Sequence, residues 1–120
     1  MSKLRGTFTA LVTPMKADGS VDFEGFRKNV KHQLQEGIDG LVPLGTTAET
    51  PTLDEKPGSE EDQIIQIVFE EVRAFEKETG KKIPVILGAG SNNTKDAVSY
   101  VERAKAAGAD AALVVTPYYN

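Results

Sequence analysis

Residues 36–44 read EGIDGLVPL and residues 107–115 read AGADAALVV. Both run glycine, aliphatic residue, aspartate, small residue, and then an apolar stretch. Glycine is common just past a helix end, where the chain turns through the left-handed region. An unbroken apolar stretch without polar alternation suits a parallel strand buried on both faces. Each segment reads as a helix end turning directly into a strand, so its recurrence marks a repeated αβ unit.

The pattern extends along the chain. Apolar runs at Phe8–Val12 and Val85–Leu87 join Leu41–Leu44 and Ala111–Val115 to make four predicted strands. Three amphipathic helices lie between them. The first carries Phe23, Phe26, Val30 and Leu34 at helical spacing, with Asp22 as N-cap and Gly37 as the stop. In the second, Ile64, Ile67, Val68, Val72 and Phe75 form the apolar stripe, Ser59 with Asp62 suggests a capping box, and Gly80 closes it. The third is expected to turn Ala97, Val98, Val101 and Ala104 inward, with Asn93 or Thr94 as cap and Gly108 as its end. The order β-α-β-α-β-α-β implies parallel strands joined by right-handed crossovers, as in a (β/α)8 barrel or a doubly wound sheet. DEKPGSEED (54–62) interrupts the repeat and reads as a flexible, inserted, solvated loop turning at Pro57–Gly58.

Composition narrows the function. The 120 residues form a single domain with 39% hydrophobic and 27% charged residues, ordinary for a globular protein. A net charge of −4 argues against a nucleic-acid partner, which needs clustered Lys and Arg. There is no cysteine, so disulfides and thiolate metal sites are excluded, in keeping with a reducing cytoplasm. The only histidine, His32, falls on a polar helix face, so neither a metal nor a cofactor is expected. The apolar run near the N-terminus ends at Pro14 and reads as a strand rather than a signal peptide, and no run reaches the ~20 residues of a membrane span.

In parallel α/β folds ligands sit at the carboxyl ends of the strands. Those ends are Thr13–Pro14, Gly45–Thr46–Thr47, Gly88 to Asn92 and Thr116 to Asn120, and each brings a hydroxyl. Gly45 permits a sharp turn or close approach of a ligand; Thr46 and Thr47 can donate to a carboxylate or pass a proton; Tyr119 suits a relay. The alternative is that the threonines only cap and turn while the tyrosines pack. GAGSNN (88–93) lacks the third glycine of a dinucleotide loop and follows the third strand, so it reads as a tight strand-to-helix turn.

Four segments carry a family resemblance: FTALVTPM, GTTAETPTL, IPVILGAGSNNT and ADAALVVTPYYN. In this order they resemble the dihydrodipicolinate synthase family, within the pyruvate-dependent class I aldolases. The Thr-Thr pair favours that family over its sialic-acid lyase relatives. The resemblance implies the N-terminal half of a TIM (β/α)8 barrel and a lyase of lysine biosynthesis. In such enzymes a lysine forms a Schiff base with pyruvate, which then attacks a small aldehyde, aspartate semialdehyde. It assigns Thr47 to the pyruvate carboxylate at the Gly45 turn, Thr46 to a proton relay, and Tyr119 to the same relay across a dimer interface. Glu49 would support the loop through hydrogen bonds, and Asn92, Asp96 and Tyr118 match a lysine feedback site.

The sequence also departs from the family. Alanine stands at Ala48 where the motif has glycine, a change that needs only an ordinary φ there, and the 54–62 loop and longer second helix alter the connection beside the feedback site. A complete barrel runs to ~250 residues. The missing half is expected to hold the Schiff-base lysine, a further relay tyrosine and an arginine. The lysines present fall in the terminus (Lys3), in loops or turns, or on polar helix faces, so the chain alone is expected to lack activity. A homo-oligomer is expected. The alternative to a part of this enzyme, or of another pyruvate aldolase such as a sialic-acid lyase relative, is a non-catalytic self-associating half-barrel.

Overall fold

A computed structural model describes residues 4–119; Lys3 and Asn120 lie outside the described residues. Its elements are β1 (Phe8–Ala10), α1 (Phe23–Gln35), β2 (Gly40–Val42), α2 (Glu60–Thr79), β3 (Ile86–Gly88), α3 (Thr94–Ala107) and β4 (Ala111–Leu113), with 3-10 turns at Thr46–Ala48 and Thr50–Thr52. β1 pairs with β2 and β3 with β4, both parallel, and a parallel bridge between Leu41 and Val85 joins the pairs. The spatial order is 1-2-3-4. A doubly wound sheet reverses its order part-way, so the sequential order selects the barrel-type arrangement.

β1, β2 and β4 are shorter than the apolar runs that predict them, β3 is shifted by one residue, and the β2–β3 seam is a single bridge. Proline explains the seam. Pro43 and Pro84 cannot donate, so each contributes only its carbonyl: Gly88 N–H bonds Pro43 O at 2.9 Å and Leu41 N–H bonds Pro84 O at 3.1 Å.

The register assigns two faces. Thr9, Leu41 and Val85 share the helix side, and the Thr9 hydroxyl donates to Gln33 Oε1 of α1 at 2.9 Å. Leu11, Leu41, Val85 and Leu87 are buried there against Phe26, Val30, Ile64 and Val68. Each such side chain contributes ~1.5–3 kcal/mol by leaving water. The opposite face carries Val12 and Leu113, each half exposed.

Most predicted caps hold. The Asp22 carboxylate accepts from Gly25 N at 2.9 Å, Asn93 accepts from Lys95 N at 3.1 Å, and Gly80 and Gly108 end their helices in the left-handed region. The capping box does not form. Ser59 occupies the N-cap of α2, but its side chain makes no capping bond; the Asp62 carboxylate instead accepts from Gly58 N at 2.7 Å, within the preceding turn.

Two further expectations need correction. α3 turns Ala104 inward but leaves Val98 54% and Val101 38% exposed. Its packed face is instead Ala97, Tyr100, Arg103, Ala104 and Ala107, because Tyr100 and Arg103 reach Glu55 and Glu61 near the start of α2. The 54–62 segment is not solvated throughout. α2 begins at Glu60, and Glu61 is only 2% exposed.

Candidate functional site

The turn after β2 carries the candidate hydroxyls. Leu44 adopts φ 55°, Gly45 is extended at φ −82°, and the chain then makes two successive 3-10 turns separated by Glu49 at φ 57°. Positive φ is costly for residues with a Cβ, so other contacts must hold this path. The Gly45 carbonyl accepts from Ala48 N and from Thr50 Oγ1, both at 3.0 Å. The Glu49 carbonyl accepts from Thr52 Oγ1 at 2.8 Å. Ala48 is buried with an ordinary φ, as its replacement of glycine required. The result is a braced turn that leaves Thr46 and Thr47 exposed at the carboxyl end of β2.

The support from β3 was not legible in the sequence. A Cβ on Gly88 would lie 1.7 Å from Leu44 O and 2.8 Å from Gly45 N, so the Leu44–Gly45 peptide rests directly on the β3 backbone. A Cβ on Gly90 would meet Val115 N at 3.0 Å. The glycines of GAGSNN thus admit neighbouring backbone. The hydroxyls of Thr50 and Thr52 were likewise missed; the density of threonine in TTAETPT was the available signal.

The other candidates lie at the same end of the strands but are less enclosed. Tyr119 is fully exposed at φ 73°, and Tyr118 is half exposed. Asn92 is exposed, and Asp96 sits half-buried in the first turn of α3. The hydrogen-bonding side chain that the resemblance implied for Glu49 is not what the structure shows: among the described residues its carboxylate makes no hydrogen bond, and its backbone does the supporting.

A polar cluster joins the 54–59 loop to the helices. Arg103 pairs with Glu61, and its other terminal nitrogen lies 3.8 Å from Asp62. The Tyr100 hydroxyl donates to Glu55, and the Arg103 guanidinium lies 5.1 Å from the Tyr100 ring centre. Burial pushes the Glu61 carboxyl above its ordinary pKa, and the Arg103 charge only partly opposes this. Burial, then the Glu55 carboxylate, raises the Tyr100 phenol. Among the described residues no group of three or more His, Asp or Glu side chains is arranged to hold a metal, and no helix is long and apolar enough to cross a membrane.

Sequential parallel strands, helices packed on one side and a hydroxyl-bearing turn at the strand ends define a portion of an α/β-barrel protein. The model of the Dihydrodipicolinate synthetase family matches residues 3–120, and the chain belongs to that family. It is 49% identical over 117 residues to 4-hydroxy-tetrahydrodipicolinate synthase of Bartonella bacilliformis, covering 98% of this chain and 36% of that protein. The corresponding synthase structure from Methylacidiphilum fumariolicum SolV superposes with a TM-score of 0.82 at 35% identity, covering 98% of this chain and 36% of the other. A synthase from Acinetobacter baumannii, described as chloride inhibited and complexed with pyruvate, gives 0.71 at 37% identity, covering 96% and 36%. One from Cyanidioschyzon merolae with lysine bound gives 0.79 at 38%, covering 94% and 35%. The chain spans about 36% of the length of the curated relatives it matches.

Proposed function

We propose that this chain provides the first four strands of a cytoplasmic lyase that condenses pyruvate with aspartate semialdehyde. The observation that carries the reading is the braced turn presenting Thr46 and Thr47 side by side at a strand end, within a chain of this family. Thr47 donates its hydroxyl to the pyruvate carboxylate, while Thr46 and Tyr119 pass a proton, Tyr119 from a second subunit. Gly45 gives the ligand close access to the backbone. Asn92, Asp96 and Tyr118 line a lysine-responsive site; that one relative is described as complexed with pyruvate and another with lysine bound supports the choice of these two ligands.

The Schiff-base lysine is supplied from outside these 120 residues. Every described lysine is exposed, whereas a nucleophilic amine must be deprotonated by burial or by a cationic neighbour in a pocket. Incubating the isolated chain with pyruvate and borohydride therefore leaves its intact mass unchanged. A stoichiometric adduct would overturn this placement of the nucleophile.

The reading itself is tested by joining the chain to the part of the Bartonella bacilliformis relative that it does not span. The chimera forms the adduct, and Thr47→Val weakens pyruvate binding by about 1–3 kcal/mol, because valine keeps the shape but cannot donate. Thr46→Val lowers kcat more than it changes pyruvate affinity. Unchanged kinetics in both variants would reduce the threonines to turn formers.

The uncovered face bearing Val12 and Leu113, with Val114 and Val115 beyond β4, favours a second reading: a half-barrel that self-associates without catalysis.

A further inference from the structure

We propose that Thr50 and Gly88 are positioning residues that set the Thr46–Thr47 hydroxyl pair, one from within the turn and the other from β3. The functional consequence rests on the ligand-binding reading of that pair; the geometry does not. Thr50 acts within the turn. Its Oγ1 donates to Gly45 O at 3.0 Å, the carbonyl that also accepts Ala48 N, so the side chain bridges the entrance and exit of the first 3-10 turn.

Gly88 acts from β3. Gly88 is not among the positive-φ glycines, so alanine would suit its backbone conformation. What excludes alanine is contact: its Cβ would fall 1.7 Å from Leu44 O. That atom belongs to backbone and cannot rotate away like a side-chain tip. Leu44 is held at φ 55° immediately before Gly45, and the Gly88 N–H to Pro43 O bond fixes the same segment to β3. A residue larger than glycine must lift the Leu44–Gly45 peptide, and the two threonines move with it.

Three variants of this chain test the proposal: Thr50→Val, Thr50→Ser and Gly88→Ala. The readouts are thermal melting, amide chemical shifts and amide exchange at Thr46, Thr47 and Ala48. Thr50→Val should keep the cooperative melt, shift the 44–50 amides and speed Ala48 exchange by about tenfold, the scale of one lost hydrogen bond. Thr50→Ser retains the donor and should restore both. Gly88→Ala should move the Leu44–Thr47 signals more than those of α1. Unchanged shifts and exchange at Thr46 and Thr47 in Thr50→Val, or failure of serine to rescue, would overturn the role of Thr50. Unmoved Leu44–Thr47 signals in a folded Gly88→Ala would overturn that of Gly88. Titrating the chimera with pyruvate while following the Thr46 and Thr47 amides reads ligand binding separately. No response there, with the variant effects intact, would count against the proposed ligand and leave the positioning proposal standing.

Discussion

Glu49 sits at φ 57° between the two 3-10 turns, a conformation that costs a residue with a Cβ roughly 1–2 kcal/mol. Its carboxylate gains no hydrogen bond among the described residues, so little offsets this strain locally. Asparagine tolerates the left-handed region better. Glu49→Asn is expected to raise stability by about 0.5–1 kcal/mol in urea unfolding. A loss of stability would show that the carboxylate has a structural task after all. At this scale the sequence was informative where chemistry is local. Asp22 and Asn93 cap as their residue types predict, because an N-cap needs only the next turn of its own helix. Ser59 does not, because Asp62 turns back to Gly58 N instead of completing the box.

The pairing of α2 with α3 depends on a buried charge. Glu61 is almost fully buried, and Arg103 is its cationic partner. Arg103→Met leaves that carboxylate uncompensated and is expected to cost about 3 kcal/mol; adding Glu61→Leu recovers most of it, since an apolar pair needs no charge balance. Full stability in the single variant would show that water solvates Glu61. The pH dependence has a definite sign. The folded Glu61 pKa lies above its ordinary 4.5, because burial makes ionising this carboxyl costlier in the folded state than in the unfolded chain. The associated stability is present below 4.5 and is lost as pH rises through the folded value. Urea unfolding from about pH 4 to about pH 7 should show the wild type losing stability relative to Glu61→Gln, and a flat difference would remove Glu61 as the cause. The apolar periodicity of α1 and α2 was readable, because Phe26, Val30, Ile64 and Val68 face one layer. That of α3 was not: Val98 and Val101 look like core residues, but Tyr100 and Arg103 turn the helix toward the 54–61 acids.

Over the whole molecule, four parallel strands in the order 1-2-3-4 leave one sheet face and two strand edges uncovered in this chain. Val12, Leu113, Val114 and Val115 are each about half exposed. Together with Tyr118 they present on the order of several hundred Å² of apolar surface, more than a stable monomer usually leaves open. Covering it is worth several kcal/mol at ~25 cal/mol per Å², before association entropy is subtracted. A two-fold pairing covers both faces and both edges at once. Light scattering after size exclusion should give twice the chain mass. A monodisperse monomer with a cooperative melt at high dilution would exclude this pairing.

The sequence by itself determined the alternation of elements, their parallel sense and the location of the hydroxyl-bearing turn. These follow from hydrophobic period, glycine stops and the rule that parallel strands need crossovers. It also carried the family, through segments in fixed order. Tertiary structure decided what depends on residues distant in the chain. The 1-2-3-4 order selects a barrel over a doubly wound sheet, the Gly88 backbone seats Leu44 and Gly45, and Glu61 is buried against Arg103. Periodicity records which side of an element is apolar. It does not record which other element arrives there, and contact distance and burial are set only when it does.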